Sequence, residues 1–475
     1  METLAKNFQL AAASLVAVLA LAACGGGGGS SSSTPAGTPG SAVSLGVVTA
    51  KGSIFVNRIE YSTSGATITI DDNPVSDDSF LKVGMTVKVR GTSDDVTKKG
   101  VATKIEARDA LEGRIDNIDV AGRTITVMGQ IVRIEDNLTC LNDDDTVKIF
   151  ANAGFAVGNI VEVNGFADDN GGLRATRVAK KTTGEFETKG FVTGLGASSF
   201  GLSLTPGGAS FITVNFTAGQ LPSGLANGSL VEVKATAAPG GGAVTAASIK
   251  LEDRLGEANE KVEVEGIVTS GTLASFIVNG QQVVTDSSTV FEGGLSSDFA
   301  IGARLEAEGP LNAGGAIAAT KITFRSNIKI EADVSNVTAT SLTVLGKTVA
   351  INQFTRIDNG PVVNGSHVEL RAMLDRNGNL IATRIVVQSA STRAFLQGAV
   401  SAFDGTAGTM TILGFPIVSD GNTQWRISST SSEAAVTKAS FFAALKADTT
   451  VVKVKWDPFV AAANPVKEAE IELGK

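Results

Sequence analysis

Alternating apolar and polar residues form one short pattern that recurs five times along the chain. The copies are VGMTVKVRG (83–91), VGNIVEVNG (157–165), NGSLVEVKA (227–235), IGARLEAEG (301–309) and NGSHVELRA (364–372). In the second copy Val161 and Val163 share one face and Glu162 lies on the other, which predicts a β-strand with one face in a core and one in water. The other copies place these residues on the polar face: Lys88, Glu232, Glu306 and Glu369.

Glycines flank the repeated strand at fixed positions. A glycine before it is expected to adopt a left-handed conformation at the end of a short helical turn. These residues are Gly84, Gly158, Gly228, Gly302 and Gly365. A glycine after it predicts a bulge or barrel corner where a side chain has no room. These residues are Gly91, Gly165 and Gly309.

Three further landmarks recur in phase with this strand. Each unit opens with a strand such as EGRI around Gly113, continues with a hairpin such as RTITVMGQIVRIED (123–136), and closes with a strand such as RATRVAKK (174–181). The opening positions are about 65 to 77 residues apart, which predicts a repeated domain. The predicted modules are 43–109, 110–182, 183–253, 260–326, 327–390 and 391–475.

The sixth module is degenerate. LKADTTVVKVKW (445–456) overlays LKVGMTVKVRG (81–91), with Asp448 and Trp456 at the two glycine positions. The preceding SSEAAVTKASFFAALKAD has apolar residues at three- and four-residue spacing, which predicts an amphipathic helix beginning near Ser432. It is the one helix predicted for the mature chain.

The repeat predicts an all-β fold. Five strands in about 65 residues, with a short helix or loop between the third and fourth, are typical of a small OB-like barrel, and an SH3-like barrel is the alternative. The series Gly-x-Val, TVxG, VGxxVEVxG and ATxI also resembles an uncharacterised domain found in tandem in bacterial lipoproteins. That resemblance implies about six OB-like barrels over 43–475 and no assigned activity. Short linkers predict an extended, semi-rigid string that bends mainly near Gly256.

The N-terminus predicts export and lipid attachment. An apolar run from Leu10 to Ala23 has the length of a signal-peptide core, so residues 1–23 are interpreted as a signal peptide. The motif Leu21-Ala22-Ala23-Cys24 resembles the bacterial lipobox, which implies a lipid on Cys24 that holds the protein on a membrane. The residue after Cys24 is Gly25 and not Asp, which resembles the pattern of lipoproteins sent to the outer membrane. The protein is therefore expected on the outer membrane, on its periplasmic side or at the cell surface. Residues 24–42 form a flexible Gly/Ser linker.

Charge and cysteine content narrow the partners. The chain has 475 residues with 40 Lys and Arg against 48 Asp and Glu, a net charge of −8, and its basic residues are scattered. This distribution argues against a nucleic-acid partner. Cys140 is the only cysteine left once Cys24 is acylated, and it is expected to be a small buried apolar residue.

Candidate catalytic and metal-binding residues are few. His367, the only histidine, is placed on the outer face of its strand, which argues against a catalytic triad or a histidine metal site. The loops that begin at Asp168 and Asp375 open like calcium loops, but Ala179 and Val386 stand where a bidentate Glu is required, which favours hairpin turns. We therefore expect no catalytic residue, no cofactor and no metal, and leave calcium open.

Aromatic side chains are sparse and give one weak ligand candidate. Trp425 is either a surface contact for a ligand or is buried beside the predicted helix. The sequence thus predicts a non-catalytic binding or spacer protein of the bacterial envelope, with an envelope protein or polysaccharide as partner. The alternative is a carboxylate-based hydrolase of envelope glycan, whose mark would be two acids facing a pocket instead of a turn.

Overall fold

The computed structural model describes residues 40–50, 53–94, 97–144, 146–168, 170–252, 256, 259–292, 296–325, 328–375, 378–429, 432–447, 450–460 and 464–472. The predicted signal peptide, the motif Leu21-Ala22-Ala23-Cys24 with its lipid site, and Asp448 lie outside these residues.

Modules 1 and 2 are built almost entirely of strands. Module 1 contains β1 (Gly40–Val47), β2 (Ile54–Val56), β3 (Ile59–Ser62), β4 (Thr67–Ile70), β5 (Asn73–Val75), β6 (Thr86–Asp94) and β7 (Lys99–Ala107). Module 2 contains β8 (Leu111–Asp119), β9 (Thr124–Val127), β10 (Gln130–Arg133), β11 (Cys140–Leu141), β12 (Ile160–Ala167) and β13 (Leu173–Lys181).

Modules 3 and 4 repeat this arrangement. Module 3 contains β14 (Phe186–Thr193), β15 (Ser199–Ser203), β16 (Ser210–Asn215), β17 (Leu230–Ala235) and β18 (Ala243–Leu251). Module 4 contains β19 (Lys261–Thr272), β20 (Ser275–Val278), β21 (Gln281–Val284), β22 (Val290–Glu292), β23 (Arg304–Pro310), β24 (Ile317–Ala318) and β25 (Lys321–Phe324). Single 3₁₀ turns precede β6, β12, β17 and β23, at Asp78–Phe80, Phe150–Asn152, Ala218–Gln220 and Ser296–Asp298.

Modules 5 and 6 complete the array. Module 5 contains β26 (Ile328–Ser335), β27 (Ser341–Val344), β28 (Lys347–Ala350), β29 (Arg356–Asp358), β30 (His367–Leu374) and β31 (Leu380–Val387). Module 6 contains β32 (Ala394–Asp404), β33 (Thr409–Ile412), β34 (Phe415–Val418), β35 (Gln424–Ser429), β36 (Ser432–Ala435), α1 (Lys438–Ala443), β37 (Val451–Trp456) and β38 (Glu468–Glu472).

Module 2 shows how a barrel closes. Strand β8 pairs antiparallel with β9, β9 with β10, and β10 parallel with β13; β13 then pairs antiparallel with β12, which returns to β8. Modules 3 and 5 form the same ring. The apolar face of the repeated strand fills the ring, with Val161 and Val163 fully buried. The chain is therefore an all-β tandem array of closed five-stranded, OB-like barrels.

The two glycine positions that recur among the modules behave as the pattern predicts. Gly158 has a φ of 92° and Gly302 one of 87°, both in the left-handed region. After the repeated strand, a Cβ on Gly91 would lie 2.1 Å from the carbonyl oxygen of Val101, and the pairing register shifts between Arg90 and Gly91. The glycine thus forms the bulge that bends the strand around the barrel.

Strand pairing between modules contradicts the extended string expected from the linkers. Strand β1 of module 1 pairs in parallel with β19 of module 4, with Val43 opposite Val262. Modules 2 and 3 share a sheet through β8 and β14, and modules 5 and 6 share one through β26 and β32. Linker length could not show this, because the opening strand of each barrel has a second edge that another barrel can pair with.

Equivalent contacts also join module 1 to module 2 and module 4 to module 5. The Thr176 hydroxyl donates to the Gly84 carbonyl oxygen over 2.7 Å. At the corresponding place, a Cβ on Gly302 would lie 3.2 Å from the Thr383 hydroxyl oxygen. The contact between modules 1 and 2 therefore recurs between modules 4 and 5, just as the shared sheet of modules 2 and 3 recurs in modules 5 and 6.

The polar face of the repeated strand does not lie in water, contrary to the expectation from alternation. Glu162, Glu232 and Glu306 are buried. Alternation indicates only which face of a strand points into its own barrel. The outer face is covered by neighbouring modules and basic side chains, which alternation does not indicate. Asp72 of module 1 lies within 4.8 Å of Glu232 in module 3, and the Arg177 guanidinium binds Glu162.

The helix of module 6 is present but begins later than predicted. Ser432–Ala435 forms β36, paired with β35, and helix α1 spans Lys438–Ala443. The Thr437 hydroxyl caps it by accepting from the Ser440 amide over 3.1 Å. Pairing with β35 overrides the local preference of this segment for helix. Within the part of the chain that the structure describes, no helix is both long and apolar enough to cross a bilayer.

Candidate functional site

The structure corrects the position expected for His367. Its side chain is buried and lies against two acidic side chains of the neighbouring strand β26. Nδ1 lies 2.7 Å from a carboxylate oxygen of Asp333, and Nε2 lies 3.4 Å from one of Glu331. Both carboxylates come from the adjacent strand, so the histidine bridges two strands of one barrel.

Trp425 is part of the core of module 6. Its side chain is 8% exposed and packs on two rings of helix α1, with centroid distances of 4.7 Å to Phe441 and 5.3 Å to Phe442. The structure therefore places it beside the helix, the second of the two readings, and gives no surface for the ligand contact that was the first. An indole has a large apolar surface, and packing it against the two Phe rings of the helix removes that surface from water.

The two calcium-like loops are turns. The Asp168 carboxylate accepts from the backbone amides of Asn170 and Gly172, each over 2.8 Å, in the turn between β12 and β13. Asp375 accepts from the Asn379 amide over 2.8 Å at the same place in module 5. These carboxylates stabilise their own hairpins, as the Asn-Gly sequence predicts. Cys140 is buried.

A cavity of about 780 Å³ lies where modules 1, 2, 4 and 5 meet, and we call it the four-module cavity. Modules 1 and 4 contribute equivalent residues from the end of the opening strand and from the turn before the repeated strand. The residue after the opening glycine is Val47 in one module and Ile267 in the other. The residue before the left-handed glycine is Val83 in one and Ile301 in the other.

Modules 2 and 5 form the opposite wall, again with equivalent segments. The Asn352 amide group donates to Glu135 over 2.9 Å, and these two residues follow the hairpin in their respective modules. The Arg174 guanidinium lies 4.6 Å from the ring centroid of Phe354. The Gln353 side chain donates to the Ile134 carbonyl oxygen over 2.9 Å. These contacts hold the two modules together along one side of the cavity.

The charged groups of the cavity wall are held by the protein itself. Arg174 binds Glu135, and Arg304 lies 2.8 Å from Glu265, which also contacts Arg58 of module 1. Asp168 contacts Arg133 over 3.0 Å in addition to its backbone bonds. Each carboxylate described here therefore has a basic partner.

A second charged cluster lies where modules 1, 2 and 3 meet, and we call it the Lys189 cluster (Lys189, Asp71, Asp109, Glu187 and Glu232). The Lys189 ammonium lies 2.6 Å from Asp109, 2.5 Å from Glu187 and 3.5 Å from Glu232. Asp71 of module 1 accepts from the Asp109 backbone amide over 3.1 Å. One cation thus holds carboxylates from two modules.

Burial and mutual repulsion shift the titration of this cluster. Burial raises the pKa of Asp109 well above its usual range, although Lys189 opposes the shift, and the neighbouring Asp71 and Glu187 raise it further. Burial also raises the pKa of Asp71 and of Glu232. The surrounding carboxylates outweigh burial at Lys189 and raise the pKa of its ammonium. Asp109, Glu187 and Glu232 are buried, Asp71 and Lys189 are half-buried, and none of them lines the four-module cavity.

Three carboxylates, one of them from this cluster, are close enough to suggest a cation site. Asp72, Glu232 and Glu252 have oxygens within 4.8 Å of one another. Lys250 binds Asp72 and lies 3.1 Å from Glu252, and Arg108 binds Glu252 as well. Burial would raise the pKa of Asp72, but Lys250 and Arg108 outweigh it and lower that pKa. Basic side chains therefore already compensate these acids.

Sequence reasoning missed both the four-module cavity and the Lys189 cluster. Their residues belong to modules far apart in the chain, so that no local spacing brings them together. A signal for the cluster was nevertheless present: Lys189 is a basic residue before the opening glycine, where module 2 has Glu112 and module 4 has Glu265. An isolated reversal of charge at an equivalent position can indicate a partner in a neighbouring module.

Comparison with known proteins gives a family match. Residues 45–106, 112–179, 189–250, 260–323 and 331–386 match the family described as Domain of unknown function (DUF5666). No curated protein matches the chain.

Two solved structures are similar to parts of the chain. One, "drosophila Unr CSD456", is 14% identical over 59% of this chain and 98% of that chain, with a TM-score of 0.17. The other is a multidomain protein with nucleic acid binding domains from Streptococcus pneumoniae. It is 11% identical over 45% of this chain and 72% of that chain, with a TM-score of 0.13. At these scores neither structure supports an argument about what the present chain binds.

Proposed function

The chain belongs to the DUF5666 family, whose domain of unknown function it carries in tandem, and from this premise we propose a non-catalytic binding protein whose ligand occupies the four-module cavity. The observation that carries the proposal is the cavity itself, about 780 Å³ at the junction of four modules. Small-molecule sites have volumes of roughly 300 to 1,000 Å³ and occur preferentially between domains.

The state of the acids favours binding over glycan hydrolysis. A hydrolase needs one carboxyl group to act as an acid and a second to act as a base or nucleophile beside the scissile bond. In the cavity, Glu135 is held by Arg174 and Asn352, and Glu265 is held by Arg304. Among the described residues, the acids with raised pKa values are Asp71, Asp109 and Glu232 around Lys189, and Glu112 beside Lys181; none of them lines the cavity. The hydrolase alternative therefore has little support.

The binding function is tested by native mass spectrometry of the full chain, purified from its own cells as the Cys24→Ala variant so that a lipid on Cys24 adds no mass. We expect an additional bound mass. Ile301→Trp should weaken it by placing a bulky ring in the cavity wall, whereas Val157→Trp should leave it unchanged. Val157 occupies the position equivalent to Ile301 in module 2, is exposed and does not line the cavity. Absence of any bound mass would contradict the proposal and leave the spacer role.

We also propose that the protein is lipid-anchored in the bacterial envelope, on the outer membrane. The motif Leu21-Ala22-Ala23-Cys24 supports this proposal, together with the signal-like apolar run before it. Labelling cells with an alkyne-bearing fatty acid should mark the wild-type protein and the Cys140→Ala variant but not Cys24→Ala. Label retained on Cys24→Ala would contradict the anchor. An envelope protein or polysaccharide remains the proposed partner.

A further inference from the structure

We propose that the ligand of the four-module cavity is an uncharged molecule with a long hydrocarbon chain. This inference rests on the proposed function and goes further by naming the chemical class. It follows from two observations about the wall: many of its polar side chains already contact other groups of the protein, and the surface between them is apolar.

Several polar side chains of the wall have hydrogen bonds within the protein. The Asn279 amide group donates to the Glu265 carbonyl oxygen over 2.7 Å. The Thr383 hydroxyl donates to the Arg371 carbonyl oxygen over 3.3 Å, and the Thr176 hydroxyl to that of Gly84. The charged side chains described above likewise contact each other within the protein. A ligand rich in hydroxyl groups, such as an oligosaccharide, would have to break these bonds to be recognised, because buried polar groups must stay paired.

Apolar side chains occupy the wall between these groups. Val47, Val83, Ile267 and Ile301 are half-buried in the walls of modules 1 and 4. Opposite them, Leu374 is 42% exposed and Phe354 is half-buried. Apolar surface that is still exposed to water lowers the free energy when a ligand's apolar surface covers it.

Charge balance selects an uncharged chain. Acids and bases on the wall neutralise each other, as in the pairs Arg174 with Glu135 and Arg304 with Glu265. A fixed charge on the ligand would lose water without gaining an unpaired partner of opposite sign. The hydrocarbon chain can come from a lipid acyl group or from an isoprenoid, which share this chemistry.

The test is displacement of the neutral fluorophore N-phenyl-1-naphthylamine from the full-chain Cys24→Ala protein by 1-octanol, 1-decanol and 1-dodecanol. Each buried methylene should lower Kd about fourfold, and each two-carbon step about fifteenfold, until the cavity is filled. Farnesol beside 1-dodecanol distinguishes an isoprenoid from a straight acyl chain. Maltoheptaose, a neutral oligosaccharide, should displace nothing.

Variants separate this inference from the proposed function. Ile301→Trp should weaken displaceable binding about tenfold by crowding the wall. Val157→Trp should not weaken it, and Leu374→Ser should weaken binding severalfold while leaving the circular dichroism spectrum unchanged. If the alcohols fail to bind while native mass spectrometry detects a polar ligand whose binding Ile301→Trp weakens, the proposed function stands and the hydrocarbon inference is wrong. Kd values that do not change with chain length would also overturn it.

Discussion

The Lys189 cluster gives a prediction whose size follows from its geometry. Lys189→Met leaves Asp109, Glu187 and Glu232 buried without the cation that lies 2.6, 2.5 and 3.5 Å from them. Removing one partner of a buried pair typically costs about 3 to 5 kcal/mol, because the remaining charge stays desolvated. We expect the junction of modules 1, 2 and 3 to open more easily by this amount at pH 7.

The pH dependence of this penalty can be worked out from the carboxylates. The variant can relieve the charge by binding a proton, which costs about 1.4 kcal/mol for each pH unit above the unfolded pKa of about 3.9. Protonation therefore costs about 4 kcal/mol at pH 7 but only about 1.5 at pH 5. Because the pKa of Asp109 is raised in the folded state, the folded state binds this proton more tightly than the unfolded state. The stability of the variant therefore rises as the pH falls from 7 towards 5.

Hydrogen exchange measured by mass spectrometry on peptides of β8 and β14 tests the prediction. At pH 7 exchange in Lys189→Met should be about 10² to 10³ times faster than in the wild type, and at pH 5 about tenfold faster, each compared at the same pH. Lys104→Met is the control: its ammonium is 3.1 Å from Glu106 but its side chain is 44% exposed, so that the change should stay within about 1 kcal/mol. Equal effects of the two substitutions, or a Lys189→Met effect independent of pH, would refute the reasoning.

Two further predictions concern packing. Gly309→Ala places a Cβ 2.0 Å from the Ala318 carbonyl oxygen, so module 4 should lose about 1 to 3 kcal/mol or more in urea unfolding followed by circular dichroism, whereas Gly240→Ala, with open space around it, should be nearly neutral. Trp425→Ala should cost about 3 to 5 kcal/mol and speed hydrogen exchange in the helix that carries Phe441; a loss below about 0.5 kcal/mol would indicate a surface residue instead.

The sequence predicts the barrel well because each barrel is specified by local periodicity. Alternation of Val161 and Val163 places the core face, and Gly158 and Gly91 mark positions that require a left-handed backbone and a missing side chain. These requirements act within one module, so that a single copy shows them and five copies confirm the period.

The site could not be predicted because it depends on how modules meet. Glu162 and His367 alternate with core residues and were therefore assigned to water, although neighbouring elements bury both. The segment from Ser432 has helical spacing, yet its backbone pairs with β35. In each case a contact with a partner outside the local period decided the outcome, and a single sequence carries almost no record of such partners.

The parallel pairing of β1 with β19 has a consequence for how the chain folds as it is made. Val43 cannot meet Val262 until roughly 220 more residues have been synthesised, which takes about 10 to 45 s at 5 to 20 residues per second. During that delay the outer edge of β1 offers unsatisfied amides and carbonyls to any other strand, which is the geometry that nucleates aggregation. Modules 2 and 3, which pair with each other directly, can finish first. The β1 edge therefore stays open to wrong pairing for longer than an edge that pairs within its own module.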